Sequence, residues 1–293
     1  MKQIKIRKKS RPTVGLLIDW TTGQYHLTLL NGIADLAEER DVNLLCFEGG
    51  SIWSPREFEA QRNVVYNLVC RDNLDGVIVL ATLGHYGGSR ALQELCRQYR
   101  PLPIVSIGVE LEDIPSIMVD NESGMRDLVS HLIEVHDYKK FAFIKGPKGN
   151  QDTQKRFETF LSVLKHYQIP VNDNLMIEGD FTPESGRDAV CKLIEEKADF
   201  EVIIAANDEM ALGALNELQK RGVKVPRNIA LVGFDNLDVS LYSSPNLTTV
   251  NYPLYRQGQR AVEILLELIE KREVSLRTIH PTQLIIRESC GCY

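Results

Sequence analysis

The sequence predicts an α/β fold of two lobes, each a parallel sheet flanked by helices. Three observations predict it. Short β-branched runs alternate with longer stretches of 3.6-residue periodicity along the whole chain, as parallel sheets covered by helices require. At 293 residues the length suits about two domains. No Pro/Gly/Ser-rich linker separates the halves, so strands running directly between the lobes should join them, with a cleft at the junction.

Composition narrows the function classes. Apolar residues make up 43% of the chain, charged residues 25% and aromatic residues 7%, an ordinary globular balance with ample surface to bury. The longest apolar runs, such as Val77-Ile78-Val79-Leu80-Ala81, fall far short of the roughly 20 residues a helical span needs. With 34 basic and 40 acidic residues the net charge is -6, which argues against a nucleic-acid-binding surface as the main business of the chain. Lys2, Lys5, Arg7, Lys8, Lys9 and Arg11 make a basic arm over residues 1–12. The run after it is too short for a secretory core and ends at Asp19, so the expectation is a cytoplasmic protein without a membrane partner.

In order, residues 13–18 read as a strand, and Leu27, Leu30, Ile33, Ala34 and Ala37 as the apolar stripe of a helix. Residues 43–47 are a strand, and 55–69 a helix opened by Ser54-Pro55, a cap and first-turn pair. Strands at 76–80 and 104–107 flank a helix at 89–99. The rhythm then repeats: strand 117–119, helix 122–135, strand 141–144, helix 153–167, strand 175–178, helix 184–197, strand 202–205, helix 209–220 and strand 229–232. A strand near 248–250, a helix at 254–269 and one terminal strand at 279–286 close the chain.

Ligands of open parallel sheets bind beyond the carboxyl ends of the strands. Those positions carry Asp19, Trp20, Thr21, Thr22 and Tyr25 after the first strand, and Thr82, Gly84, His85 and Tyr86 after the third. Later strands end in Gly146-Pro147-Lys148-Gly149-Asn150, Asn207-Asp208 and Gly233-Phe234-Asp235-Asn236. Amides and carboxylates that fix hydroxyls or amines, beside aromatic rings that cover apolar faces, suit a small polar ligand. Enzyme signatures are missing: the sequence has no phosphate-binding Gly-x-x-x-x-Gly-Lys-Ser/Thr loop, no Gly-x-Gly-x-x-Gly fingerprint and no Gly-x-Ser-x-Gly elbow. No catalytic residue and no cofactor is expected.

Cys46, Cys70, Cys96 and Cys191 lie in apolar segments and read as buried free thiols. Cys290-Gly291-Cys292 is the one close pair. No second Cys or His pair shows matching spacing, and His131 and His136, five apart, do not stack on a helix face. The expectation is no metal site.

Several segments resemble the lactose/galactose repressor (LacI/GalR) family. They are Asp120-Asn121-Glu122-Ser123-Gly124 with His131-Leu132-Ile133-Glu134, Phe141-Ala142-Phe143-Ile144-Lys145-Gly146-Pro147, and Ala206-Asn207-Asp208-Glu209-Met210-Ala211-Leu212-Gly213-Ala214. Ala230-Leu231-Val232-Gly233-Phe234-Asp235-Asn236 and Pro245-Asn246-Leu247-Thr248-Thr249-Val250 complete the series. The resemblance runs from about residue 12 to the C-terminus and implies a type I periplasmic-binding-protein fold of two Rossmann-like lobes. On that basis lobe 1 should comprise residues 13–119 and 251–278, and lobe 2 residues 120–250 and 279–293.

The resemblance also implies ligand contacts. Arg156 matches the family's ligand-reaching arginine, although Arg156-Phe157-Glu158-Thr159-Phe160 departs from the usual Leu-x-Gly-Phe. Asn207, Asp235 and Tyr252 match further contact positions, and Trp20 and Tyr25 belong to a first-strand loop that lines the family's cleft. With Thr82 and His85 these residues form the expected ligand site.

Family repressors carry a helix-turn-helix and hinge helix ahead of the first strand, whereas 12 residues precede Thr13 here. The leading expectation is therefore a sensor module similar to those of bacterial signalling proteins, reporting to a histidine kinase or diguanylate cyclase outside this chain. The alternative is a LacI/GalR-type transcriptional regulator whose DNA-binding head lies outside it. A homodimer without direct DNA contact by this chain is implied in either case. A solute carrier and an enzyme on the same fold rank below both.

Overall fold

The computed structural model describes residues 11–292, so the basic arm expected over 1–12 lies outside the described residues up to position 10. The chain begins with β1 (Thr13–Ile18), α1 (Gln24–Glu39), β2 (Asn43–Glu48) and α2 (Glu57–Arg62). It continues through β3 (Gly76–Leu80), α3 (Gly88–Gln98), β4 (Ile104–Ile107), β5 (Ser116–Val119) and α4 (Asn121–Glu134). Next come β6 (Phe141–Ile144), α5 (Gln151–His166), β7 (Met176–Ile177), α6 (Pro183–Glu195), β8 (Val202–Ala205) and α7 (Asp208–Lys220). The last elements are β9 (Ala230–Val232), α8 (Asp238–Tyr242), β10 (Thr249–Asn251), α9 (Leu254–Ile269), β11 (Arg277–His280) and β12 (Gln283–Ile285). Two compact units result: one runs to Met118 and resumes over Leu254–Thr278, the other comprises Val119–Pro253 and Ile279–Tyr293.

The first unit is built on a six-stranded sheet of order β11-β5-β4-β3-β1-β2, parallel between β1 and its neighbours and on through β3, β4 and β5. Strand order reverses at β1, which has β2 on one side and β3 on the other, so the crevice beyond the ends of β1 and β3 is the topological switch point. Central β3 is buried at every residue, which is why its sequence is a continuous apolar run rather than an alternating one. Against this sheet α1 and α9 cross closely. A Cβ on Gly32 would meet the Tyr255 carbonyl oxygen at 2.1 Å, and one on Gly258 the Leu29 carbonyl oxygen at 2.4 Å.

The second unit has a parallel sheet of order β7-β6-β8-β9 and a separate antiparallel pair, β10 with β12. Its core is aromatic: the Phe143 and Phe160 rings lie 4.8 Å apart between β6 and α5, both fully buried. Here too the order reverses, at β6, so the switch point lies beyond the ends of β6 and β8.

Four expectations need correction. The helix over 55–69 is α2 followed by a 3₁₀ segment, Asn63–Leu68. Tertiary bonds override the periodicity there: Asn63 Nδ2 donates to the carbonyls of Gly49, Ser51 and Glu59, and the Tyr66 hydroxyl sits 2.7 Å from the Gly50 carbonyl. The terminal strand is divided between β11 and β12, which join different sheets, because Pro281 between them has no N–H for a ladder.

Of the four thiols expected to be buried, Cys96 is buried and Cys191 partly so, while Cys46 and Cys70 are exposed. Cys46 sits on β2, the sheet edge, and Cys70 in the loop before β3. Finally, the structure brings His131 and His136 together with Cys290 and Cys292, against the expected lack of a matching pair. α4 ends at Glu134, so His136 lies in the turn beyond the helix and its ring folds back to 5.1 Å from that of His131.

Candidate functional site

In the second unit the polar centre is set by two helix starts. Asn150 caps α5, its side chain accepting from the Thr153 N–H at 2.9 Å. That start places Asp152 and Arg156, four residues apart, on one helix face, exposed by only 7% and 2%. Asp120 caps α4 in the same way through the Ser123 N–H at 3.0 Å, which positions Asn121.

These side chains interlock. Arg156 Nε donates to Asn121 Oδ1 at 2.8 Å, and Arg156 Nη1 to the Ala206 carbonyl at 2.6 Å and to Asp235 Oδ1 at 3.5 Å. Asn121 Nδ2 and the Tyr252 hydroxyl donate to the two oxygens of Asp152 at 2.8 and 2.9 Å. The guanidinium also lies over the Phe234 ring, 3.8 Å from its centroid. Arg156, Asp235 and Tyr252 are thus brought together, joined by Asn121 and Asp152.

Asn207 stands beside them at the end of β8, where it caps α7 by accepting from the Met210 N–H at 2.9 Å and donates to the Phe181 carbonyl at 3.2 Å. Asp208 is a buried anchor of another kind. It accepts from the Leu237 N–H and from the Ser240 and Thr249 hydroxyls, which ties α7 to the segments after β9 and to β10.

Burial pushes the Asp235 carboxyl well above the usual carboxylate range. Arg156 pulls it down, but Asp208, Asp152 and Glu209 push it up further. Burial also raises Asp152, against Arg156, Tyr252 and Asn121. Asp235 adopts φ 120° and Asn236 φ 54°, a left-handed turn that side chains resist. Backbone bonds on both sides hold it: Asp235 N–H donates to the Val250 carbonyl at 2.9 Å, and Tyr252 N–H to the Asp235 carbonyl at 3.3 Å. Strain of about 1–3 kcal/mol per residue persists only where the surroundings over-determine it. The Asp235 carboxyl held by this turn has one long side-chain bond, from Arg156 at 3.5 Å.

The first unit carries its own polar group, at the ends of β1 and β3. The Thr82 hydroxyl donates to Asp19 Oδ1 at 2.6 Å, and His26 Nε2 lies 3.0 Å from the same oxygen. Burial alone would raise Asp19, but His26, Thr82 and the Trp20 N–H outweigh it and hold the carboxyl below its ordinary value. Arg62 lies 4.5 Å over the Trp20 ring, and Tyr25 packs edge-on to His26 at 5.3 Å. His85 follows a 3₁₀ turn, Ala81–Gly84, and pairs edge-on with Tyr86 rather than with Asp19.

Sequence reasoning did not assign Asn121, Asp152 or His26 to a site, and it named Asp19 at the end of the first strand without including it in the expected ligand site. The i, i+4 pair Asp152 and Arg156 behind the cap Asn150 is a readable signal.

Two units of parallel sheet with helices on their faces, and polar residues gathered at the strand ends, define a type I periplasmic-binding-protein fold. The periplasmic binding protein-like domain matches residues 129–290. The HTH-type transcriptional repressor PurR of Vibrio atlanticus is 27% identical over 273 residues, 92% of this chain and 78% of the relative. Catabolite control protein A of Priestia megaterium is 28% identical over 286 residues, 97% and 83%. The crystal structure of the Escherichia coli transcriptional repressor ascG superposes with a TM-score of 0.75 at 26% identity, covering 95% of this chain and 98% of that one. This chain belongs to the periplasmic binding protein-like family and is a ligand-binding core of the LacI/GalR type.

Proposed function

We propose that this chain is the ligand-binding core of a transcriptional regulator, and that Arg156 and Asp235 are the polar centre of its effector site. The observation that carries the site is the buried guanidinium among carboxyls at the strand ends, with Asp235 accepting one long bond. A ligand hydroxyl or amine placed on Asp235 would supply the donor that its burial calls for. Ring oxygens or carbonyls would take donors from Arg156, and the Tyr252 ring would cover an apolar face. This chemistry suits a sugar-like or nucleoside-like effector.

The named relatives are an HTH-type transcriptional repressor and a catabolite control protein, which favours a transcriptional output over a histidine kinase or diguanylate cyclase. Regulation needs only that the effector prefer one conformation. The shift it produces is bounded by that difference in affinity. A homodimer is the expected working state.

Thermal denaturation with a panel of pentoses, hexoses, purines and nucleosides tests the reading. A true effector at a hundred times its Kd adds about 2.7 kcal/mol. Arg156→Ala with Asp235→Ala should abolish the gain. Binding that survives the double variant would refute the site, and an intact gene product that binds no operator, with or without effector, would refute the output.

A further inference from the structure

The C-terminal tail returns across the second unit and is fixed before it ends. Ser289 Oγ donates to the Leu231 carbonyl at 2.5 Å and accepts from the Thr248 N–H at 2.8 Å. Arg287 donates through Nη1 to the Leu247 carbonyl at 2.7 Å and through Nη2 to Asn236 Oδ1 at 2.6 Å. Cys290 is fully buried as a result. Gly291 then turns back at φ 110°, where a Cβ would press on the His136 ring at 3.2 Å. This turn brings Cys292 to the same point as Cys290.

Two histidines meet them there. Cys290 Sγ lies 3.8 Å from His131 Nε2, and Cys292 Sγ lies 3.6 Å from His131 Nε2 and 3.4 Å from His136 Nε2. One donor atom from each of the four residues falls within 4.8 Å of every other. The Tyr138 ring stacks on His136 with centroids 5.4 Å apart, while its hydroxyl donates to the Cys290 carbonyl at 3.1 Å. The imidazole and the Cys-Gly-Cys turn are thus braced by one side chain.

Cys290 Sγ is already directed at the Arg287 carbonyl at 3.3 Å. The three sulfur–nitrogen approaches are long for hydrogen bonds, with either an imidazole N–H or the Cys292 thiol as donor according to tautomer. A tetrahedral ion accounts for them together. With metal–sulfur bonds of about 2.3 Å and metal–nitrogen bonds of about 2.0–2.1 Å, a sulfur–nitrogen edge of the tetrahedron is about 3.6 Å. The three observed edges bracket that length.

We propose that His131, His136, Cys290 and Cys292 form a tetrahedral Cys₂His₂ site for Zn²⁺ that clasps the C-terminal tail to the end of α4. Two thiolates and two imidazoles select zinc over hard oxygen-seeking cations. All four positions are filled by the protein, so the site is structural and leaves no coordination place for a substrate. Each ligand is deprotonated when the ion binds, and the two thiol protons pass to solvent. The clasp bridges residues more than 150 positions apart, so the ion stabilises the folded unit and not the unfolded chain.

The full chain, purified under reducing conditions without added metal or affinity-tag histidines, should carry about one zinc per chain by elemental analysis. Replacing zinc by Co²⁺ should give the visible bands of a tetrahedral centre and a thiolate-to-cobalt charge-transfer band. Cys292→Ser and His136→Asn, made separately and checked for native circular dichroism, should each weaken Co²⁺ binding at least tenfold and remove or shift those bands. Stripping zinc with a chelator should lower Tm in the parent and leave it unchanged in Cys292→Ser. The proposal fails if Co²⁺ gives no thiolate band, or if the band is unaltered in both folded variants. It also fails if thiol counting shows Cys290 and Cys292 joined in a disulfide under the same conditions.

Discussion

Asp19 and Asp235 are each the first carboxylate after a strand of their own unit, β1 and β9, and each is nearly buried, at 6% and 5% exposed. Their surroundings differ in sign. Asp19 has donors from Thr82 and His26 and is held below its ordinary pKa. Asp235 has one long contact with Arg156 and is pushed well above it. Equal burial therefore does not make equal chemistry. The partnered carboxylate orders its loop, whereas the under-partnered one is a group whose ionised form a ligand donor would stabilise.

The comparison can be broken most forcefully at Arg156. Arg156→Ala should cost about 3–5 kcal/mol in urea denaturation, because it strands Asp152 and Asp235 without their cation. A near-neutral variant would mean that the guanidinium does not organise the cluster. Asp19→Ala should cost about 2–3 kcal/mol, since Thr82 and His26 lose their shared acceptor.

Asp235→Asn should behave in the opposite way. At neutral pH the ligand-free protein should keep its Tm or gain a few degrees, while effector affinity falls at least tenfold. A loss of Tm as large as that of Asp19→Ala would erase the contrast between the two units.

The pH profiles sharpen the same point. The lowered pKa of Asp19 contributes stability that is present above the ordinary carboxylate range and lost as pH falls through the folded value. The raised pKa of Asp235 contributes stability that is present below the ordinary range and lost as pH rises toward the folded value. Parent-minus-variant stability should therefore climb with pH for Asp19→Asn and decline with pH for Asp235→Asn. Parallel profiles would contradict the assignment. The smallest effect is expected at Asn207, where Asn207→Ala removes the α7 cap and costs about 1 kcal/mol.

Much of this was readable in advance. The alternation of apolar runs gave the parallel sheets, and α9 spans 254–269 as its periodicity indicates. The motifs around Arg156, Asn207 and Asp235 pointed to three residues that the structure sets in or beside one cluster. What was not readable was partnership. That Arg156 bonds Asn121 and Tyr252 bonds Asp152 depends on side chains 35 and 100 positions apart. Local pattern cannot report such contacts.

The same limit explains the fate of α2 and of the tail. Over 55–69 the apolar spacing is helical, yet Asn63 and Tyr66 are recruited by carbonyls of another loop, and the helix tightens into a 3₁₀ segment. At the tail, spacing alone set His131 and His136 apart from Cys290 and Cys292.

By itself the sequence determined the element types and the fold class, because burial of one helix stripe or a whole strand is a local, periodic demand on residue type. Only the tertiary structure decided which carboxyls are satisfied and which side chains converge. Those outcomes depend on distances across the unit, such as the 3.4 Å between Cys292 and His136, and not on spacing along the chain.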